Sequence, residues 1–292
     1  MSPWRAAAIA AAVICGCSSY AGENRGSSIE RKAPAVRIIA LSPHLAEIAY
    51  AAGAGAQLIA VVRYSDYPPA AQKLPRVGDA SRIDIERVLA LKPDLVLGWR
   101  SGNPASDIER LQKLGFRVVV SEPRRLSDVA QSVRTIGALA GTEAAAKRAA
   151  DAFDGELAAL RARYSARVPV RVFYEIWHRP LLTVNGAHII SDVLTLCGGV
   201  NVFAGETLLT PAVSLEAVLA ATPDVVLGGS SAASPDALAA AWKRAPVARL
   251  RELPVRFVPP DLIQRQTPRI AEGARAVCEH LETVRAAQAA AR

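Results

Sequence analysis

The chain has 292 residues, half of them hydrophobic and a fifth charged, a composition that folds as a globular protein with one large core or two modest ones. The formal charge is +8, but Lys and Arg are scattered along helical stretches. With no dense basic run and no aromatic ladder, the charge argues against nucleic-acid binding and for a solvated basic surface.

The first predicted element is a leader. Arg5 precedes an apolar run over residues 6–14. That run is too short for a bilayer, which needs about 20 residues, and fits a signal-peptide core. It ends in Ile14-Cys15-Gly16-Cys17, which resembles the bacterial lipoprotein processing site and implies a lipid on the Cys17 thiol. Plain cleavage among the same small residues is the alternative. Residues 1–34 thus read as leader and linker, and the mature chain is expected in the oxidising periplasm. Beyond the leader only Cys197 and Cys278 remain, and two cysteines in an exported chain favour pairing. Neither cysteine has a partner at zinc-site spacing, and His44, His178, His188 and His280 form no ligand pattern, so no metal site is expected.

Short aliphatic runs then alternate with helical ones. Strands are expected at 36–41, 58–62, 95–97 and 117–120, with helices at 45–52, 84–91 and 106–114 between them. The rhythm restarts after residue 168, with strands at 170–174, 225–227 and 255–258, and the final helix runs over 269–287. Such β-then-α order implies an α/β protein with largely parallel sheets covered by helices on both faces. An internal repeat points to two lobes: residues 83–98 (IDIERVLALKPDLVLG) match 213–228 (VSLEAVLAATPDVVLG) at nine of sixteen positions without a gap. Pro93 and Pro223 end the helix in each copy.

A long Ala-rich helix is expected over residues 142–165, with Ala149, Phe153, Leu157, Leu160 and Tyr164 on one face and Lys147–Asp151 as an i, i+4 pair. Its length of ~36 Å at ~1.5 Å per residue is enough to cross between lobes, and its stiffness would limit hinge closure. The expected organisation is an N-terminal lobe at 35–140, a connecting helix at 141–166 and a C-terminal lobe at 167–292.

Several segments resemble the periplasmic binding proteins of cobalamin and siderophore importers, whose two Rossmann-like lobes are joined by one long helix. They are Leu41-Ser42-Pro43-His44 before a helix and Cys197-Gly198-Gly199-Val200-Asn201. More specific to the cobalamin branch are Tyr64-Ser65-Asp66-Tyr67-Pro68-Pro69, Trp99-Arg100-Ser101-Gly102-Asn103 and Thr267-Pro268-Arg269-Ile270. The resemblance spans residues 36–287. It implies a monomeric solute-binding protein that hands cobalamin or a related corrinoid to a dimeric ABC permease, with the corrinoid as cargo and no cofactor. It also implies a Cys197–Cys278 disulfide. The chain departs from the branch at three positions that often carry aromatics in the cleft: here they are Ala80, Thr210 and Leu181. A ferric-siderophore or haem binder of the same fold class is the runner-up.

A corrinoid is a broad macrocycle with apolar faces and an amide rim, so a binder needs flat walls and a few orienting polar groups. Tyr64, Trp99 and Trp177 are the candidate walls. Asp261 and Arg265 match ligand-contacting positions of the family, where a carboxylate accepts from amide N–H groups and a guanidinium donates to amide oxygens. His44 reads as a capping or packing group. Glu86 and Glu216 occupy the same place in the two repeat copies. The resemblance implies that they dock on permease arginines, whereas helix chemistry alone would have each carboxylate favour the first turn of its helix. No phosphate-cradling loop, nucleophile elbow or zinc-protease motif is present, so no catalytic residue is expected and a corrinoid-processing enzyme is a distant second alternative.

Overall fold

The computed structural model describes Met1 and residues 33–229 and 234–291. Cys17 and the rest of the expected leader core lie outside the described residues. In the first half the order is β1 (Ile38–Ala40), α1 (Pro43–Ala51), β2 (Leu58–Val61), a small hairpin of β3 (Gly78–Asp79) and β4 (Arg82–Ile83), α2 (Ile85–Leu91), β5 (Leu95–Trp99), α3 (Ala105–Lys113), β6 (Val118–Ser121) and α4 (Leu126–Ala140). The long helix α5 (Glu143–Tyr164) follows. The second half contains β7 (Val170–Glu175), α6 (Ile189–Leu196), β8 (Gly199–Asn201), α7 (Leu215–Ala220), β9 (Val225–Gly228), α8 (Pro235–Lys243), α9 (Ala248–Arg251), β10 (Val255–Phe257), α10 (Pro260–Ile263) and α11 (Ile270–Ala290).

Two four-stranded sheets result, ordered β2-β1-β5-β6 and β8-β7-β9-β10. Every pairing within them is parallel. The two orders are the same pattern written twice, which is what the sequence repeat implies. The duplication extends to details outside the aligned residues. Arg37 donates from Nε and Nη2 to the carbonyls of Lys92 and Leu91, and Arg171 donates in the same way to Thr222 and Ala221. Asp94 accepts the Arg37 backbone N–H, and Asp224 accepts that of Arg171. Just before each Pro-Asp, Lys92 (φ 46°) and Thr222 (φ 43°) adopt the left-handed conformation that turns the chain from helix to strand.

The strands alternate between two environments. Ile39, Leu41 and Val96 face one satellite core in the first lobe, and Phe173, Val226 and Trp242 face another in the second. Ile38, Ala40, Leu95 and Leu97 point the opposite way, as do Val172, Tyr174, Val225 and Leu227. All eight belong to one continuous core shared by both halves. Helix α5 runs through that core and packs on α1 and α4 from the first half and α6 and α11 from the second. Its buried stripe is Ala146, Ala150, Phe153, Leu157, Leu160 and Tyr164; Ala149, expected on it, is only half-buried. The Lys147–Asp151 pair forms at 2.5 Å, and Arg134 of α4 reaches Asp151 and Asp154. Cys197, at the end of α6, is joined by a disulfide to Cys278 of α11. No helix among the described residues is long and apolar enough to cross a membrane.

Candidate functional site

The C-terminal ends of the two parallel sheets face a shared cleft, where ligands of open α/β folds bind. A cavity of about 340 Å³ lies there, lined from the first lobe by Trp99, Ser101, Glu122 and Arg124. The second lobe contributes Ile176, His188, Thr210, Gln264 and Gln266. Two larger hollows, of about 600 and 760 Å³, are each confined to one lobe, so the smaller inter-lobe cavity is the candidate binding site.

Trp99 ends β5 and keeps part of its surface exposed on the cavity. Its position is set from three sides. Asn103 accepts the Trp99 backbone N–H at 2.7 Å and donates to the carbonyls of Leu41 and Ala80, which locks the turn. Gly102 lies against the indole so closely that a Cβ there would collide with it. The His44 ring packs edge-on at 5.1 Å between centroids. His44 is buried and bonded to Ser42 Oγ, the N-cap of α1, so it packs beneath the wall of the site. Burial, reinforced by Arg265, pushes its pKa down to about 3. His188 caps α6 by accepting the Ile190 N–H at Nδ1, and burial lowers its pKa to about 4. Both imidazoles are therefore neutral near pH 7, and the cavity combines an aromatic face with the neutral groups His188, Thr210, Gln264 and Gln266 and the charged pair of side chains Glu122 and Arg124.

Below the Tyr64–Pro69 loop the lobes are joined by charge. Glu47 on α1 is buried, and its two oxygens take Arg269 Nε and Nη2 at 2.9 and 2.8 Å and Arg265 Nη1 at 2.9 Å. Arg265 also bonds Asp66 at 2.6 Å and Asp261 at 2.9 Å. The Arg269 guanidinium lies 4.0 Å from the Tyr67 ring centroid. Burial works against the Arg265 charge, but Asp66 and Glu47 outweigh it and raise its pKa further. The Arg265 hydrogen bond in turn holds the Asp66 carboxyl below its ordinary value.

Of the residues expected at the site, Trp99 lines the cavity. Asp261 and Arg265 form a pair, but Arg265 is already engaged by the other lobe. Tyr64 is well exposed, at 73%, with a positive φ of 64°, and does not line the cavity. Trp177 does not line the cavity. Its indole N–H is committed to the Arg179 carbonyl, and Ile176, one residue earlier and on the opposite face of the chain, takes the wall position. Leu181 belongs to the separate hollow of the second lobe, whereas Thr210 does face the cavity. Glu47, Arg269, Gln264 and Gln266 were not foreseen as site residues. The Thr267–Ile270 motif contained Arg269 without revealing its partner, and nothing in the local sequence marks Glu47. Glu86 and Glu216 are exposed in the first turns of α2 and α7. The Glu216 carboxyl is held below its ordinary value by its own backbone N–H and the Ser214 hydroxyl.

Among the described residues no cluster of three or more His, Cys, Asp or Glu could hold a metal ion. Comparison with known proteins gives a consistent result. A periplasmic binding protein family model matches residues 38–249. The vitamin B12-binding protein of Vibrio parahaemolyticus is 40% identical over 86% of this chain and 91% of its own length. That of Vibrio cholerae is 37% identical over 88% and 92%. The crystal structure of the periplasmic vitamin B12 binding protein BtuF of Vibrio cholerae superposes with a TM-score of 0.79 at 37% identity, covering 86% of this chain and 98% of that one. The periplasmic haem-binding protein RhuT from Roseiflexus superposes at 0.69 with 23% identity, a likeness of fold alone. In family, relatives and architecture these findings converge: the chain is a solute-binding protein, not an enzyme, and belongs to the periplasmic binding protein family.

Proposed function

We propose that this protein captures cobalamin or a related corrinoid in the inter-lobe cleft and delivers it to the permease dimer of an ABC importer. The observation that carries the reading is the cavity itself. Trp99 from one lobe shares its lining with neutral hydrogen-bonding groups of the other (His188, Thr210, Gln264 and Gln266) and with Glu122 and Arg124, a surface that offers a flat macrocycle an aromatic wall and its amide arms both donors and acceptors. The named activity of the relatives at 37% and 40% identity supports the same ligand class. Tyr64, Asp261 and Arg265 at the rim are proposed contacts. Trp177 is proposed only as a second-wall residue that would have to release the Arg179 carbonyl. The corrinoid is cargo rather than cofactor, and the free protein is read as a monomer.

Residues 1–34 are read as an export leader and short linker, with cleavage before Cys17 and a lipid on its thiol that would tether the protein in the periplasm. Glu86 and Glu216 are read as the docking pair, one per lobe, each presented by the same repeated helix start.

The test is calorimetric or absorbance titration of the purified protein with cyanocobalamin, haemin and a ferric siderophore. Corrinoid binding is expected, weakened by about 1–3 kcal/mol in Trp99→Ala. Retention of haemin or the siderophore with no corrinoid bound at micromolar concentration would replace this reading with the haem or siderophore alternative.

A further inference from the structure

The charged groups that join the lobes have an unequal sum. Three carboxylates (Glu47, Asp66 and Asp261) meet two guanidiniums (Arg265 and Arg269), leaving one excess negative charge. The two sides of this cluster also differ in exposure. Glu47 lies beneath, with a side-chain exposure of 3%, and anchors both arginines from the opposite lobe. Asp66 and Asp261, half-exposed, pair with Arg265 on its more solvent-accessible side. Asp66 makes the more complete cover: its Oδ1 meets Nη1 at 2.6 Å and its Oδ2 meets Nη2 at 3.3 Å, the two-pronged geometry an incoming carboxylate would use. Tyr67 covers Arg269 in parallel. Both cations of this cluster are thus already matched by the protein.

We infer that Asp66 is a specificity-determining residue, whose carboxylate masks Arg265 so that the rim accepts uncharged amide arms and rejects carboxylates. The inference rests on the corrinoid reading and deepens it. A carboxylate ligand must displace Asp66 or enter beside three anions already shared between two cations. Either course leaves a poorly paired charge in a partly desolvated place. A neutral amide oxygen can share an Arg265 N–H without adding charge, and its N–H groups can donate to Asp66 or Asp261. Glu47 is a positioning residue in the same scheme, because it fixes the guanidinium that Asp66 covers.

The experiment compares cyanocobalamin with its three monocarboxylic acid isomers, each with one propionamide hydrolysed, on the full-length mature protein. Calorimetry gives the amide-to-acid affinity ratio for wild type, Asp66→Asn, Asp66→Ala and Asp66→Glu, and thermal unfolding checks each variant's fold. For at least one isomer, wild type should favour the amide by about tenfold or more, the scale of one unmatched charge near a protein surface. Asp66→Asn and Asp66→Ala should shrink that ratio to within about threefold, and Asp66→Glu should restore it. High salt should also shrink the wild-type ratio. A wild-type ratio near one for every isomer, or a ratio unchanged in a folded Asp66→Asn, overturns the inference while leaving the ligand class standing. Failure of wild type to bind any corrinoid overturns both.

Discussion

At the scale of single residues, the cleft depends on groups kept in one protonation state. His44 and His188 are lowered from 6.5 to about 3 and about 4, chiefly by burial. Between those values and pH 6.5 the unfolded chain binds protons that the folded chain refuses. Their contribution to stability is therefore intact above pH 6.5 and is lost as the pH falls, through a window ending near 3 for His44 and near 4 for His188. Each can cost up to ~1.4 kcal/mol per pH unit within its window. Unfolding temperature should accordingly drop between about pH 7 and about pH 5, and His44→Asn should flatten that drop. An identical pH profile in the two proteins would show that His44 does not titrate in this way.

The helices and their links carry a second set of consequences. The disulfide ties the end of α6 to the middle of α11 across 81 positions of sequence, inside the shared core. Replacing Cys278 by Ser should lower stability by about 2–4 kcal/mol in chemical denaturation, and reduction of the wild type should cost a similar amount. Helix α5 contains an exposed glycine, Gly155, at which an added Cβ would meet nothing within 4 Å. Gly155→Ala should therefore raise stability by about 0.5–1 kcal/mol, because the unfolded chain loses freedom and the helix loses nothing. Thermal unfolding checks this directly; a lower melting temperature would mean that the glycine serves a contact outside the free chain. Helix α4 shows what an element-level reading can overlook. The alternating pattern of strands and helices skips residues 126–140, yet Leu126, Val129, Val133, Ile136 and Ala140 recur there at helical spacing and are all buried. They pack on α5, and that partnership fixes the place of the helix.

At the scale of the whole molecule, one core passes through both lobes by way of α4, α5, α6 and α11, and a buried ion cluster joins the lobes again at the cleft. Large hinge opening would break both, so ligand exchange in this architecture should involve the rim loops more than the lobes. A rigid body also keeps the two repeated helix starts at a fixed separation, which is what docking through Glu86 and Glu216 needs. The double variant Glu86→Lys with Glu216→Lys should bind corrinoid and melt nearly as wild type does, yet fail in uptake, most visibly at low ionic strength. Normal uptake in a cell that depends on this importer would remove the docking role and leave both glutamates as helix-start groups, a role that its own backbone N–H and the Ser214 hydroxyl already give Glu216 in part.

The sequence by itself determined what depends on neighbours along the chain. Alternating β and α periods specified the parallel sheets, the 83–98 and 213–228 repeat specified the duplicated lobe, and an apolar stripe without proline specified α5. Residues 99–103 stood out in the sequence only by resemblance, and the structure supplies the reason: Gly102 and Asn103 lie within four residues of the ring they position. Only the tertiary structure decided which charges meet across the lobes. Glu47 and Arg269 are 222 positions apart, and no local pattern distinguishes this buried carboxylate from an exposed one on a helix. The same holds for Trp177, whose sequence neighbourhood resembles that of a wall residue, yet whose side chain takes the face of the strand that Ile176 leaves to it. Side-chain direction at a strand end, and the pairing of charges across two lobes, depend on distances in space that only the packed fold defines.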